Sequence, residues 1–231
     1  MNTSVKADPA TSRIFIVDDH PLVRSGLKAL LAREPGLEVC GEAEDVSGAL
    51  TAVTAMAASA DSRPHLVLID ITLKRSSGLE LVKEIGAKHP EVKTLVISMH
   101  DEALYAVRSL KAGAHGYIMK RESNERIVAA IRIVLEGDIY LSNAMTRAAV
   151  DQFGRGAGAS SPTDLLSDRE LELFQLTGRG KEIAEIARIM SISPRTVEVH
   201  RSHIKKKLQL KTGTEIFQSA YEWLRESGLR P

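Results

Sequence analysis

From residue 13 to about residue 136, short β-branched and aliphatic runs alternate with longer stretches whose apolar positions recur every three or four residues. The runs Ile14–Val17, Leu37–Ala43, Leu66–Ile69, Thr94–Ser98 and Gly116–Met119 have the length and composition of strands. The stretches Pro21–Arg33, Val46–Ala58, Leu79–Lys88, Asp101–Lys111 and Ser123–Leu135 read as amphipathic helices. In the first of them Leu22, Leu27, Leu30 and Leu31 fall near one face, and Pro21 suits a first helical turn. Strands alternating with helices in this way predict a doubly wound α/β fold, a five-stranded parallel sheet covered on both sides.

The pattern changes after Gly137. Gly154, Gly156, Gly158, Ser160, Ser161 and Pro162 form a flexible tract, and residues 137–163 read as a linker, with room for a short helix within Ala144–Phe153. Beyond it the periodicity is helical only. Ser167 and Glu170 make a capping box for a helix over Asp168–Thr177. A second helix is predicted over Lys181–Met190, with Ile183, Ala184, Ala187 and Met190 as its apolar face. Ser193 and Pro194 suit the N-cap and first position of a third, reaching about Leu210, and a fourth covers Thr214–Glu226. The predicted division is a disordered tail over 1–12, an α/β domain over 13–136, the linker, and a small all-α domain over 164–231.

Composition narrows this picture. With 231 residues, 43% hydrophobic and 26% charged, the chain has the balance of one or two soluble domains. The formal net charge of +1 gives a weak overall field, so any nucleic-acid contact must come from a local patch. A single cysteine, Cys40, excludes an intrachain disulfide and a cysteine-based metal site and fits a reducing compartment. No apolar run approaches the ~18–20 residues of a membrane span, and the polar start carries no signal core. The expectation is a cytoplasmic protein without a membrane partner.

The candidate chemistry lies at the strand ends. Asp18 and Asp19 follow the first strand, Asp70 the third and Lys120 the fifth, while Ser98 ends the fourth. In an open parallel sheet these positions share the carboxyl edge, where ligands bind. Each residue alone has an ordinary role: an Asp after a strand is commonly a cap or turn residue, and a lone Lys a solvated charge. Together they place three carboxylates, a hydroxyl and an ammonium at one edge. Crowded carboxylates call for a cation, oxygen-only ligands favour Mg²⁺, and a carboxylate is a competent nucleophile toward phosphorus. Lys120, Ser98 and Mg²⁺ would neutralise the phosphoryl oxygens.

At these residues the sequence resembles the receiver domain of bacterial response regulators, over about Ile14 to Glu136. The matching motifs are IFIVDDH (Ile14–His20), LVLIDITL (Leu66–Leu73) with Gly78, LVISMHD (Leu95–Asp101) and AGAHGYIMK (Ala112–Lys120). The resemblance implies a flavodoxin-like strand order 2-1-3-4-5, with Asp70 as phosphoacceptor. It also implies Mg²⁺ held by Asp19, Asp70 and the Thr72 carbonyl, with Asp18 acting through water. Ser98 becomes the switch hydroxyl and Tyr117 the aromatic that swings inward behind it. The residues alone also allow Tyr117 to be a half-buried strand aromatic. The sequence departs from the family at Lys74 and Arg121, where prolines are usual, which bears on phosphate lifetime.

The third helix of the C-terminal part has Val197, Ile204 and Leu208 on one face and Val199, Ser202 and Lys206 on the other, flanked by Glu198, His203 and Lys205. Between Arg195 and Lys211 stand Arg195, Arg201, Lys205, Lys206, Lys207 and Lys211 against Glu198 alone, the electrostatic footprint of phosphate binding. With the short connection Ser191–Ser193 before it, the pattern allows a helix-turn-helix or a plain four-helix bundle. LSDRELELFQL (Leu166–Leu176), KEIAEIARIMSISPRTVEVHRSHIKKKL (Lys181–Leu208) and Ala220–Trp223 resemble the LuxR-type helix-turn-helix, over about Leu165 to Leu229.

A receiver followed by this motif is similar to the NarL/FixJ class. The resemblance implies that Glu198, Val199 and Ser202 face base edges and that Arg195, Arg201, Lys205 and Lys206 hold phosphates. Thr196 is a further phosphate contact and His200 a packing residue. It implies DNA, a cognate sensor histidine kinase and RNA polymerase as partners, and a homodimer when phosphorylated. Its only chemistry would be phosphorylation and dephosphorylation of its own Asp70. In the last helix Ile216, Ala220 and Leu224 suit either a core or a partner. Two rivals remain: a small phosphatase with an aspartyl-phosphate intermediate, disfavoured by His20 two residues after Asp18, and a protein-interaction regulator, disfavoured by the basic helix.

Overall fold

The computed structural model describes residues 11–73, 76–142, 145–146 and 162–227. The expected tail through residue 10, Lys74, the tract Gly154–Ser161 and nearly all of the possible helix within Ala144–Phe153 lie outside the described residues. The chain divides into two compact units, Met1–Gly154 and Arg155–Pro231.

The first unit is a five-stranded parallel sheet: β1 (Ser12–Val17), β2 (Leu37–Ala43), β3 (Leu66–Ile69), β4 (Lys93–Ser98) and β5 (Tyr117–Met119), in the order 2-1-3-4-5. A two-residue antiparallel pair, Thr72–Leu73 with Ser76–Ser77, follows β3. The helices are α1 (Pro21–Leu31), α2 (Val46–Ala57), α3 (Gly78–Lys88), α4 (Glu102–Lys111) and α5 (Asn124–Glu136). β3 is buried throughout, as a strand covered on both faces requires. Ile14, Ile16, Leu66, Leu68, Leu95 and Ile97 pack with Leu27 and Leu31 of α1 and Ile127, Ile131 and Val134 of α5. The alternate residues Phe15, Val17, Val67, Ile69 and Val96, also buried, turn to the other face, as the two-residue period of a strand dictates.

Ser12, expected in the tail, opens β1 and pairs with Leu37. After α5 ends on left-handed Gly137, the chain returns to the sheet edge. The Tyr117 amide donates to the Tyr140 carbonyl at 3.1 Å, and the Tyr140 amide to the His115 carbonyl at 3.0 Å.

The second unit comprises a 3₁₀ turn (Pro162–Leu165) and four helices, α6 (Asp168–Gly178), α7 (Ile183–Ile189), α8 (Pro194–Leu208) and α9 (Gly213–Glu226). The Ser167–Glu170 capping box is formed. Ser193 caps α8 through the Thr196 amide at 3.1 Å. The second helix is shorter than its periodicity suggested, because Glu182 and Glu185 cap it at Ile183. Its buried residues are Ile186 and Ala187, joined by Met190 just beyond its end, while Ala184 is exposed, so the expected apolar face is rotated. Ile216, Ala220 and Leu224 of α9 are fully buried in the core. Among the described residues no helix is long and apolar enough to cross a membrane.

One glycine positions the site. A Cβ at Gly78 would run into the Asp70 carbonyl, so the start of α3 lies against the end of β3. Gly26, within α1, has nothing near its missing Cβ. Gly78→Ala is expected to destabilise the first unit by about 1–3 kcal/mol. Gly26→Ala should stabilise it by up to about 1 kcal/mol. Urea unfolding of both variants checks the pair.

Candidate functional site

Parallel register brings the strand ends together. Val17 pairs with Ile69, and the Asp70 amide donates to the Val17 carbonyl at 2.9 Å, so Asp18 and Asp70 emerge side by side. The Lys120 amide donates to the Ser98 carbonyl at 2.8 Å, which fixes Lys120 beside the end of β4. The Lys120 ammonium then lies 2.5 Å from Asp18 Oδ2 and 2.7 Å from Asp70 Oδ2. Asp18, Asp70 and Ser98 are buried and the Lys120 side chain nearly so.

Asp19 is mostly buried; its Oδ1 accepts no hydrogen bond and has the His20 Nδ1 atom 2.7 Å away. The His20 amide donates to Asp18 Oδ1 at 2.8 Å. One oxygen each of Asp18, Asp19 and Asp70 and a His20 nitrogen lie within 4.8 Å of one another.

Burial pushes the Asp70 carboxyl up to about 6 from 3.8; Lys120 pulls it down, Asp18 pushes it up again, and the Thr72 amide steadies the charged form. For Lys120, burial works against the charge, but Asp70 and Asp18 outweigh it and hold the ammonium above the usual lysine range. Three carboxylates against one ammonium leave an excess of two negative charges in a water-poor corner. A carboxylate oxygen that accepts no hydrogen bond and three convergent carboxylates, with one His20 nitrogen beside them, fit a hard divalent cation such as Mg²⁺.

Behind this corner lies a hydrogen-bonded relay that the sequence reading did not assign. His100 donates its amide to Ser98 Oγ at 3.3 Å, shares a 2.7 Å hydrogen bond between its Nε2 and Thr72 Oγ1, and stacks on Tyr105 with centroids 4.5 Å apart. Its carbonyl accepts from the Tyr117 hydroxyl at 2.7 Å. Tyr117 is fully buried, not half-buried, and is held inward. Burial pushes its phenol well above the usual range, while a hydrogen bond with Ser98 pulls the other way. His100 stands in the LVISMHD motif, yet its partners become visible only once β3, β4 and β5 lie together.

In the second unit, Arg195, Glu198, Val199, Ser202 and Lys206 are exposed, while Thr196, Arg201 and Lys205 are partly buried. Thr196 Oγ1 is 2.8 Å from Ser193 Oγ and so belongs to the cap. Arg201 sits on the core side of α8, its guanidinium over Gly213 and 3.6 Å from Glu198, so it is less available than the sequence reading supposed. Lys207 donates to Glu170 Oε2 at 2.6 Å and is committed to a buried carboxylate. Glu170 is held below the usual range: burial raises it, but the Lys207 and Ser167 hydrogen bonds prevail. Leu208 is only partly buried, leaving Val197 and Ile204 as the core of α8.

Comparison with known proteins falls on these same two units. Residues 14–132 match the response regulator receiver domain family, and residues 164–220 match the bacterial regulatory proteins of the luxR family. The oxygen regulatory protein NreC of Staphylococcus epidermidis is 33% identical over 215 residues, covering 90% of this chain and 96% of NreC. A LuxR-family two-component response regulator from Aurantimonas sp. SI85-9A1 is 30% identical, with a TM-score of 0.56 over 63% of this chain and 99% of that one. RcsB from Salmonella enterica serovar Typhimurium, solved bound to promoter rprA in the presence of phosphomimetic BeF3-, shares the fold at 22% identity. Its TM-score is 0.56 over 90% of this chain and 97% of RcsB.

The raised Asp70 carboxyl has a consequence for stability. A carboxyl whose pKa is higher folded than unfolded takes up protons preferentially in the folded state. Its contribution therefore favours folding at low pH and is lost as pH rises through about 6. Without divalent cations, Asp70→Asn is expected to unfold later than the wild-type protein at pH 7.5, by on the order of 2–3 kcal/mol. The gap should shrink toward pH 4. Thermal melts across that range in chelator check it.

Proposed function

Because this chain belongs to the LuxR family of two-component response regulators, with a receiver domain joined to a LuxR-type DNA-binding domain, we propose that Asp70 is its phosphoacceptor and that phosphorylation there governs DNA binding. The observation that carries this is the Lys120 ammonium bridging Asp18 and Asp70 within a cluster of three carboxylates at the carboxyl edge of the sheet.

A sensor histidine kinase would supply the phosphoryl group. A carboxylate oxygen of Asp70 attacks phosphorus, the new O–P bond forms as the P–N bond to the kinase imidazole breaks, and that nitrogen leaves with the electron pair. Lys120 moves with the developing charge, exchanging part of its contact with Asp70 for a phosphoryl oxygen, and the Ser98 hydroxyl donates to another. Asp18, Asp19, Asp70 and the Thr72 carbonyl would hold Mg²⁺, which supplies charge neutralisation at the phosphoryl oxygens. Tyr117 keeps its inward place through the His100 carbonyl, so movement of Ser98 toward the phosphate is felt directly at Tyr117 and His100.

The second unit is the DNA reader. α8 presents Val199, Ser202 and Glu198 to base edges, with Arg195, Lys205 and Lys206 on phosphates, Thr196 at the capped start and Arg201 a weaker contributor. Two protomers, each placing one such helix in successive major grooves about 34 Å apart, would supply the affinity that one helix lacks. We assign the protein to the cytoplasm, with RNA polymerase as a further partner and no catalysis beyond the chemistry of its own Asp70. Against a phosphatase stands His20, in the place where such an enzyme needs a second Asp.

Two outcomes test this reading. Label from acetyl phosphate should be taken up by the wild-type protein in Mg²⁺, abolished by chelator and by Asp70→Asn; equal labelling of that variant would overturn the assignment. Lys206→Ala should weaken binding to all duplexes and flatten the salt dependence by about one phosphate contact. Val199 substitutions should instead change which sequence is preferred. Binding titrations at several salt concentrations distinguish the two effects.

A further inference from the structure

The DNA-binding unit holds a second group of ligand-type side chains, away from the acidic corner. Glu170 on α6 and His200 and His203 on α8 each offer one ligand atom within 4.8 Å of the others. His203 Nδ1 is 3.6 Å from Glu170 Oε1, and the two imidazole rings stand edge-to-face with centroids 6.5 Å apart. The i, i+3 spacing of the histidines places both rings along the same side of α8.

We propose that Glu170, His200 and His203 form a binding site for one transition-metal ion of the Zn²⁺ class, with solvent completing the coordination. The donor set separates it from the receiver cluster. Two imidazoles and one carboxylate suit Zn²⁺ and its neighbours, whereas three carboxylates beside the single His20 nitrogen suit Mg²⁺ better.

The carboxylate is already oriented. Oε2 accepts from Lys207 at 2.6 Å and from the Ser167 amide at 2.7 Å, which turns Oε1 toward the histidines. Such outer hydrogen bonds are what fix a carboxylate ligand. The His203 side chain is 56% exposed, which gives an ion a way in. The Lys207 ammonium on the same carboxylate repels a cation and weakens the site. Because the ligands come from α6 and α8, a bound ion ties the recognition helix to its scaffold.

Co²⁺ titrated into the full-length protein in excess Mg²⁺ tests this. Mg²⁺ competes for the receiver carboxylates but poorly for a site of two imidazoles. Octahedral oxygen-bound Co²⁺ absorbs weakly, and tetrahedral nitrogen-bound Co²⁺ strongly. The expected result is one strongly absorbing Co²⁺ per chain, displaced by Zn²⁺. His203→Ala should weaken its binding at least about tenfold with unchanged helical circular dichroism, since His203 is exposed. His200→Gln should weaken it similarly. Weak bands alone, or an equally strong band in His203→Ala, would overturn the proposal.

Discussion

The Lys120 ammonium holds two buried carboxylates, Asp18 and Asp70, that would otherwise repel each other in a water-poor corner. Buried charges persist only when paired and hydrogen-bonded, and this corner remains short of positive charge even with Lys120 in place. Much of the first unit serves that arrangement. Parallel pairing of β1, β3, β4 and β5 delivers the residues to one edge. Gly78 lets α3 close against the Asp70 backbone. The unpaired acidity makes the corner receptive to a cation and sensitive to a phosphoryl group, because either changes the local charge balance by more than any hydrogen bond there is worth.

The second unit applies the same physics to a structural end. Glu170 caps α6 and accepts from Lys207 of α8, so a buried carboxylate locks the recognition helix to its scaffold. That frees the opposite face of α8, with Val199 47% exposed, for contact with a partner. On α9 the apolar residues divide: Ile216, Ala220 and Leu224 fill the core, while Phe217 and Tyr221 stack on each other at 6.1 Å on the outside.

Much of this was legible in the sequence. Strand runs bounded by Asp, Asp, Ser and Lys placed the corner residues at one edge, because a parallel sheet leaves no other arrangement for them. The capping box at Ser167 and the Ser193–Pro194 start of α8 could be read directly, since caps are local. What was missed depends on long-range packing. His100 acquires its role only from Thr72, Tyr105 and Tyr117, supplied by other elements. Tyr117 is fully buried with its hydroxyl held by the His100 carbonyl, a partner that another element supplies. Arg201 belongs to the basic set by charge, but the wheel of α8 places it beside Val197, against Gly213. The shorter α7 follows from a cap at Glu182 that trims the helix.

The central claim is that charge placed on Asp70 controls the DNA-binding unit. The most direct measurement is the equilibrium affinity for a cognate duplex with and without acetyl phosphate and Mg²⁺, for the wild-type protein beside Asp70→Asn. Coupling between the two sites predicts affinity at least about fivefold tighter on phosphorylation of the wild-type protein and no change in the variant. Equal affinity with and without phosphodonor in the wild-type protein, once its phosphorylation has been verified, would contradict the account.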